Sequence, residues 1–447
     1  MEPTETASAL IALGVLVAVF VLGSRSKLQM GIAAIVAATL VGQLLFGESI
    51  QTIQEGFPLG IFFTLLGVTY LFALATNNGT VNWFVSLGLR LVGGQARVFP
   101  LVMFVVTALL TAVGAATPAA AAILMPIALS FARRNKVNPL PMAQAIIQGA
   151  TVGSFSPIGV YGVIVNSVVA RSGDELARLY HPTVTWVVVM VFGLAIVLIT
   201  WGMYRSSGPS EEEAELAGGL QKTRDVRRPS AATHDSPESS LTVRLNTERA
   251  VTVAGILAMV VAVVGWKVDV GLSALTIGAI LTLVYPNSAK GSLTQIAWPT
   301  ILLVGGIVTY VSMLERHGII EWVGGMAAGL GTPKIAAVII LFVGAVVSAF
   351  ASTTGILGAL IPLSVPFLVT ATGEPALVNA TMLIAALCVS SSAVDVSPFS
   401  TNGALAIANS GHQSEYIYKK LFMWCWILIV TVPLLTWVTM ILPPWGG

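Results

Sequence analysis

Long apolar stretches without a charged residue recur along this chain, and they constrain its fold more than any other feature. A helix that crosses a membrane needs about 20 residues of this kind. Only 9% of the 447 residues are charged, whereas soluble domains carry about 25%. The sequence therefore predicts an all-α polytopic membrane protein and excludes a large soluble catalytic domain. The apolar stretches lie at 7–23, 29–46, 58–75, 98–132, 142–170, 183–203, 250–266, 270–285, 299–314, 335–372, 376–410 and 421–442.

One segment, 205–249, breaks this pattern, because it is rich in charge and poor in aromatic residues. Such a composition is typical of a disordered linker. It divides the chain into two halves, 1–204 and 250–447. The net charge is only +2, so the sequence gives no indication of a nucleic-acid partner.

The two halves resemble each other in three places, in the same order and at a nearly constant offset. This regularity predicts an internal repeat. The matched pairs are GVTYLFALATNNGTVNWF from Gly67 with GIVTYVSMLERHGIIEWV from Gly306, ATPAAAAILMPIA from Ala116 with STTGILGALIPLS from Ser352, and GSFSPIGVYG from Gly153 with VDVSPFSTNG from Val394.

The distribution of basic residues predicts the orientation in the membrane. If each half has five crossings and one segment that enters and leaves on the same side, 17 basic residues lie on one side and 5 on the other. This arrangement puts the linker in the cytoplasm and both termini outside. Because five is odd, the halves have opposite orientations, as in the inverted repeats of secondary transporters. We expect the first apolar run to be a retained span, since acid precedes it and base follows it.

Two apolar segments are interrupted by small residues, at 114–118 and at 351–355. Each segment is either a re-entrant hairpin or a closely spaced pair of spans. The uncharged tips favour hairpins, because such a turn suits a buried or water-lined position. Each half then has five spans, one re-entrant hairpin and one discontinuous helix.

Hydroxyl residues mark these interruptions and those of two further segments. In three of them the hydroxyl residue precedes proline, the pattern of an N-cap followed by the first helical residue. Four helix N-termini that meet at mid-membrane would present about +2 of charge, which suits a small dianion. The alternative is that these prolines only kink membrane helices. The four positions are Thr117-Pro118, Ser156-Pro157, Ser397-Pro398 and Thr353-Thr354.

Asp395 is the one acidic residue well inside a predicted span. Intramembrane carboxylates are costly and commonly functional; the alternative is that Asp395 only caps a broken helix. A carboxylate beside an anion site has to be neutralised by a proton or a cation. The sequence therefore predicts that Asp395 couples transport to an ion gradient.

An amphipathic stretch precedes the hairpin in each half, at 81–94 and at 319–331. We expect two interfacial helices here, with plain connecting loops as the alternative.

The segments GAATPAAAAILMPIALS, GSFSPIGVYGVIVNS and DVSPFSTNGALAIANS carry a family resemblance. In these segments and in its overall layout the chain resembles the ion transporter superfamily, in particular the divalent anion:sodium symporters and the MatC-type malonate and dicarboxylate carriers. The resemblance implies an elevator mechanism and a homodimer.

The resemblance also implies a set of site residues. The family's Ser-Asn-Thr tips fall here on 116–118 and 352–354, without the asparagine, and its Thr-Pro pairs fall on the two Ser-Pro pairs. Asp395 departs from the family pattern and favours protons as the coupling ion, while Na+ remains possible near Asp395 and the tips. We expect the substrate at Thr117, Pro118, Ser156, Pro157, Ser352, Thr353, Thr354, Ser397, Pro398, Thr401 and Asn402, and cation coupling at Asp395, Ser154, Phe155, Ser392 and Val396.

Together these observations predict a secondary transporter in the bacterial inner membrane that imports a small, malonate-like dicarboxylate with Na+ or H+. No other cofactor and no enzymatic activity are expected. The alternatives are a cation/proton antiporter of the same superfamily, a carrier for citrate, sulfate or a sulfonate, and a channel.

Overall fold

The computed structural model describes residues 3–25, 28–91, 98–135, 137–205, 245–266, 268–320, 322, 333–350, 353–368 and 378–443. These residues form α-helices and short helical turns without a strand, which confirms the predicted all-α fold. Most of the predicted linker 205–249 and most of the second amphipathic stretch, 319–331, lie outside the described residues.

The first half begins with two apolar helices and continues through two interrupted segments to a long last helix. The short helices α3 and α10 connect longer ones. The bounds are α1 Pro3–Arg25, α2 Met30–Phe46, α3 Ile50–Glu55, α4 Leu59–Asn77, α5 Thr80–Leu91, α6 Phe99–Ala112, α7 Thr117–Arg134, α8 Pro139–Ser154, α9 Val160–Arg171, α10 Asp174–Leu179 and α11 Pro182–Tyr204.

The second half repeats this order. The bounds are α12 Thr247–Trp266, α13 Val270–Val284, α14 Trp298–Arg316, α15 Pro333–Phe350, α16 Thr353–Leu368, α17 Ala380–Ala393, α18 Thr401–Asn409 and α19 Ser414–Thr436. Three 3₁₀ turns, Ser292–Gln295, Val394–Val396 and Gly411–Gln413, and a π-helical end, Trp437–Ile441, complete it.

Six helical segments of the described chain are long and apolar enough to cross a membrane. They confirm a multi-pass membrane protein, whereas the count of five spans in each half and the opposite orientation of the halves stay predictions. The six are Thr6–Gly23, Leu59–Asn77, Pro182–Tyr204, Trp298–Arg316, Ala380–Asn409 and Ser414–Ile441.

Equivalent helices of the two halves begin with equivalent caps. The Asn138 side chain accepts from the N–H of Leu140 at the start of α8, and Asn379 accepts from Met382 at the start of α17. An asparagine N-cap satisfies one of the amide groups that a helix start leaves unpaired. The two discontinuous helices therefore start in the same way in both halves.

The halves also exchange contacts in matching pairs. Helix α2 packs on α14, and α4 packs on α13; farther along, α7 packs on α18, and α9 packs on α16. Each of these contacts joins a helix of one half to a helix of the other. The core of the protein is therefore shared between the halves.

Glycines allow the two closest of these crossings. A Cβ at Gly306 of α14 would lie 2.1 Å from the carbonyl oxygen of Gly31 in α2, and a Cβ at Gly67 of α4 would lie 2.3 Å from that of Gly271 in α13. Both distances are far below a normal carbon–oxygen contact of about 3.3 Å. Only glycine fits at these crossings without moving the helices apart.

The interruption of the first predicted hairpin is present where the sequence predicts it. Helix α6 ends at Ala112 and α7 begins at Thr117, with Gly114 at a φ of 115° in the turn. Such a φ is accessible mainly to glycine. In the second half α15 ends at Phe350 and α16 begins at Thr353; Ser352 lies outside the described residues. Re-entrant geometry in the membrane stays a prediction.

The first amphipathic stretch forms the helix α5, as predicted, and its position at the membrane interface stays a prediction.

Candidate functional site

Hydrogen bonds join the first hairpin to the first discontinuous helix. The Ser156 hydroxyl donates to the carbonyl of Ala112, the last residue of α6. At the start of α7, the Thr117 hydroxyl lies 3.2 Å from the hydroxyl of Tyr161 in the first turn of α9. The N-termini of α7 and α9 therefore lie beside each other, and both present amide groups that their own helices do not satisfy.

Hydrogen bonds also join the hairpin to the discontinuous helix in the second half, but here the donor lies on the hairpin. The Ser348 hydroxyl donates to the carbonyl of Ser391 in α17 over 2.6 Å and lies 3.0 Å from the hydroxyl of Thr353. Because the one Ser348 proton is used toward Ser391, Thr353 is the donor to Ser348. Thr353 and Thr354 are both buried at the start of α16.

The two discontinuous helices meet at Asp395. The amide of Gln148 in α8 donates to the carbonyl of Ala393 over 3.0 Å. One turn farther along α8, the hydroxyl of Thr151 lies 3.2 Å from Asp395 Oδ2. A continuous series of contacts therefore runs from one hairpin through both discontinuous helices to the other hairpin.

Asp395 is held by three side chains. Its Oδ2 accepts from the Asn402 amide over 2.9 Å as well as from Thr151, and its backbone carbonyl accepts from the Ser400 hydroxyl over 2.6 Å. Only 7% of Asp395 is exposed. Asn402, an expected substrate ligand, thus binds Asp395 from the first turn of α18, and its own Oδ1 has no hydrogen-bond partner among the described residues.

The Thr151 hydroxyl has a single proton and two acceptors within reach. The carbonyl of Ile147 lies 2.7 Å away and Asp395 Oδ2 lies 3.2 Å away. When Asp395 is ionised, Thr151 can donate to it. When Asp395 is protonated, Thr151 can donate to Ile147 and accept from the carboxyl group. The contact is therefore compatible with both protonation states of Asp395.

The predicted role of the two Ser-Pro pairs as helix starts is wrong. The Gly159 N–H bonds to the Ser156 carbonyl over 2.9 Å, and the Ser400 N–H bonds to that of Ser397 over 3.0 Å. Each pair is thus the beginning of a β-turn with proline in its second position, which proline favours.

In both halves the helix after the turn starts four residues after the serine. Helix α9 begins at Val160 and α18 at Thr401. At Thr117-Pro118 the helix starts at the threonine itself, with Ala116 as its N-cap and no side-chain cap.

The other expected residues lie around these contacts. Ser154 accepts from the Tyr161 N–H over 3.1 Å, and Phe155 packs edge-on against the Tyr161 ring at 5.2 Å. Thr401 differs from the rest, because its side chain is exposed. Ser154, Phe155, Ser392, Val396, Ser397 and Pro398 are buried, while Pro118 and Pro157 are half-buried.

Five residues that hold the site together were missed from the sequence: Tyr161, Ser348, Gln148, Thr151 and Ser400. For Gln148 and Thr151 a signal existed, because both are polar side chains inside a long apolar run and intramembrane polar residues are commonly functional. Tyr161 and Ser348 have no such signal, since tyrosine and serine are common in membrane helices.

A small cleft lies elsewhere, between α9, α14 and α16. Its polar lining comes from Arg171, Ser172, Ser312 and Glu315. None of its lining residues is among the expected site residues. The cleft is therefore separate from the contacts around Asp395.

Two family models match the chain, one in each half. The model described as the N-terminus of the dicarboxylate carrier protein MatC matches residues 6–154. The model described as citrate transporter matches residues 267–444. These matches confirm the resemblance found in the sequence. No curated protein sequence matches the chain.

Two solved structures share the fold. MtrF of Neisseria gonorrhoeae, described with a class of antimetabolite efflux pumps, is 11% identical with a TM-score of 0.58; the match covers 99% of this chain and 96% of MtrF. The YdaH transporter of Alcanivorax borkumensis is 12% identical with a TM-score of 0.54, over 89% of this chain and 88% of YdaH.

At such low identity these structures show the fold alone, while the matched families are transporters rather than enzymes. The chain is thus a multi-pass membrane transporter of the carboxylate and citrate type, with a first half like MatC and a second half like the citrate transporters.

Proposed function

We propose that this protein is a secondary active transporter that imports a small dicarboxylate across the bacterial inner membrane together with Na+ or H+. One observation carries the proposal: the hydrogen bonds that join both hairpins and both discontinuous helices around Asp395. The names of the two matched families, dicarboxylate carrier and citrate transporter, support a carboxylate substrate.

The helix starts explain how an anion binds without a basic side chain. Among the described residues, the starts of α7 and α9 lie beside each other at the contact between Thr117 and Tyr161. Each start carries about half a positive charge on its free amide groups. The start of α18 instead faces the carboxyl group of Asp395 through Asn402. A short diacid, malonate-like with three or four carbons, suits the two hydroxyl-lined starts.

Asp395 supplies the coupling. An ionised carboxylate next to a dianion repels it, so that bound substrate requires a proton or Na+ at Asp395. Substrate and cation then bind together, which is the thermodynamic condition for symport.

We further propose an elevator motion in a homodimer. The contacts α7 with α18 and α9 with α16 join helices that carry the site residues, whereas the contacts α2 with α14 and α4 with α13 join helices that carry none of them. We call the first set the site helices. In this proposal the site helices move relative to the others.

Uptake into proteoliposomes tests the function. The full-length protein should accumulate labelled malonate or succinate when a sodium or proton gradient is imposed. Asp395→Asn should abolish accumulation, whereas Asp174→Asn, a change at an exposed carboxylate, should not. Uptake that ignores both gradients, or that survives Asp395→Asn, would contradict the coupling role.

The second candidate is a cation/proton antiporter, and one observation favours it. The side-chain partners of Asp395, Thr151 and Asn402, are both neutral, so the charge of the carboxylate can be balanced by an exchanged cation. A thermal-shift screen with malonate, succinate, citrate and sulfate separates the two candidates, because an antiporter should not respond to any of these anions.

A further inference from the structure

Helix α8 carries three buried polar side chains on one face, Gln144, Gln148 and Thr151. We call them the glutamine stripe. Their exposed fractions are 0%, 1% and 0%. At 100° per residue they fall within an arc of about 60°, and they span about 10 Å along the helix. The stripe ends at Asp395, which Thr151 contacts, and Gln148 binds the carbonyl of Ala393 beside it.

Gln144 is the unusual member of the stripe. It is completely buried, and neither its amide nitrogen nor its amide oxygen has a hydrogen-bond partner among the described residues. A buried amide without partners is costly and is normally satisfied by ordered water. Both a donor and an acceptor are free at Gln144. A water molecule can use both, whereas a cation would use only the amide oxygen and leave the N–H groups unpaired.

The two glutamines of the stripe occur in one half only. With Ser154 aligned to Asp395, the counterparts of Gln144 and Gln148 in α17 are Ala385 and Val389. Both are buried apolar residues. The stripe therefore extends from Asp395 toward the N-terminal end of α8. This end follows Arg133 and Arg134, and the charge distribution predicts that it faces the cytoplasm. Gln144 lies only about 7 Å along the helix from that end.

We propose that Gln144 holds water in a proton path between Asp395 and the cytoplasm, so that the coupling ion is H+. This proposal rests on the proposed function, in which Asp395 binds the coupling ion. In it, a proton on Asp395 Oδ2 passes to water at the stripe and leaves as hydronium on the cytoplasmic side, while Asp395 returns to the carboxylate. The Thr151 contact accommodates both states of Asp395.

Net uptake and exchange place different demands on this path. In net uptake the carrier has to release its proton to the cytoplasm before it returns empty. In exchange of internal for external substrate, the carrier can return with the proton still bound. A residue that serves only proton release therefore affects net uptake and leaves exchange unchanged.

The experiment compares the full-length protein with Gln144→Leu in proteoliposomes that contain a pH-sensitive dye. We expect net uptake driven by a pH gradient, and the accompanying acidification, to fall about tenfold, an increase of about 1.4 kcal/mol in the barrier. Exchange of labelled for unlabelled substrate should stay within twofold of the wild type. Gln144→Asn, which keeps an amide, should restore much of the net uptake.

Met142→Leu is the matched control, because Met142 is a buried residue of the same helix outside the stripe; it should behave like the wild type in both assays. Gln144→Leu should fold, since it removes two buried polar atoms that have no protein partner, and its melting temperature checks this. Equal loss of exchange and net uptake, no loss of either, or wild-type uptake driven by Na+ without acidification would overturn the proton path. A wild-type protein that moves no dicarboxylate at all would overturn the proposed function as well, and this result appears before any variant is made.

Discussion

The glycine crossing between α2 and α14 gives a prediction whose size can be worked out from the structure. In Gly306→Ala the new Cβ would lie 2.1 Å from the carbonyl oxygen of Gly31, 2.8 Å from its carbonyl carbon and 3.0 Å from its Cα. A normal carbon–oxygen contact needs about 3.3 Å, so the helices have to separate by about 1 Å. All three contacts are backbone atoms, which cannot rotate away.

Overpacking of a core costs about 1–3 kcal/mol, and the rigid neighbour places this variant near the upper limit. For a protein of this size, about 3 kcal/mol corresponds to a decrease of roughly 5 °C in the melting temperature. The assay is thermal unfolding of the purified protein in detergent, followed by tryptophan fluorescence. Gly14→Ala is the control, because nothing lies within 4 Å of its Cβ, and alanine in a helix interior should stabilise by about 0.5–1 kcal/mol.

Double variants test the cause. Gly31→Ala and Gly306→Ala separate the same two helices, so together they should cost less than their sum by at least about 0.5 kcal/mol. Gly306→Ala and Gly67→Ala act at two different crossings, so their costs should add. An unchanged melting temperature of Gly306→Ala would refute this packing argument. Costs of Gly31→Ala and Gly306→Ala that simply add in the double variant would refute it as well.

Two further predictions concern the ion pairs of Glu48 and the contact between Tyr161 and Thr117. Burial tends to raise the pKa of Glu48, but the hydrogen bonds and charges of Arg316 and His317, at 2.8–3.0 Å, outweigh it and lower the pKa below its usual value. The stability that ionised Glu48 contributes is therefore complete above about pH 4.5 and is lost as the pH falls through the lowered pKa. Melting temperatures measured between pH 6 and 3 should show that Glu48→Gln is less sensitive to acid than the wild type. An equal decrease for both proteins would contradict this. Tyr161→Phe removes the hydroxyl that contacts Thr117, a hydrogen bond of about 1 kcal/mol, so the melting temperature should fall by about 2 °C. Because the substrate is proposed to bind at these two helix starts, loss of one hydrogen-bonding group should also raise the KM about fivefold. An unchanged KM would mean that the substrate does not use the Tyr161 hydroxyl.

Periodicity and charge alone predicted much of this fold. The runs of uncharged apolar residues indicate membrane helices because burial in lipid requires them, and the breaks at 114–118 and 351–355 follow from small residues and proline, which interrupt helices. The sequence also singled out Asp395, since one carboxylate in an apolar run is conspicuous.

The local conformation after the Ser-Pro pairs was not predictable in the same way. Serine before proline is compatible with an N-cap and with the start of a β-turn, and only the spacing to Gly159 and Ser400 separates the two. The partners of Asp395 were missed for a different reason. Thr151 is distant in sequence, so its contact depends on how α8 packs on the 3₁₀ turn at Val394–Val396.

The exchanged packing of the halves has a consequence for biosynthesis. Helices α7 and α9 are made early, but the surfaces that they pack against belong to α18 and α16, which the ribosome adds more than 180 residues later. Until α16 and α18 are synthesised, the faces of α7 and α9 that pack on them contact lipid or an insertion chaperone instead. The proposed substrate site is consequently completed last, when translation is nearly finished.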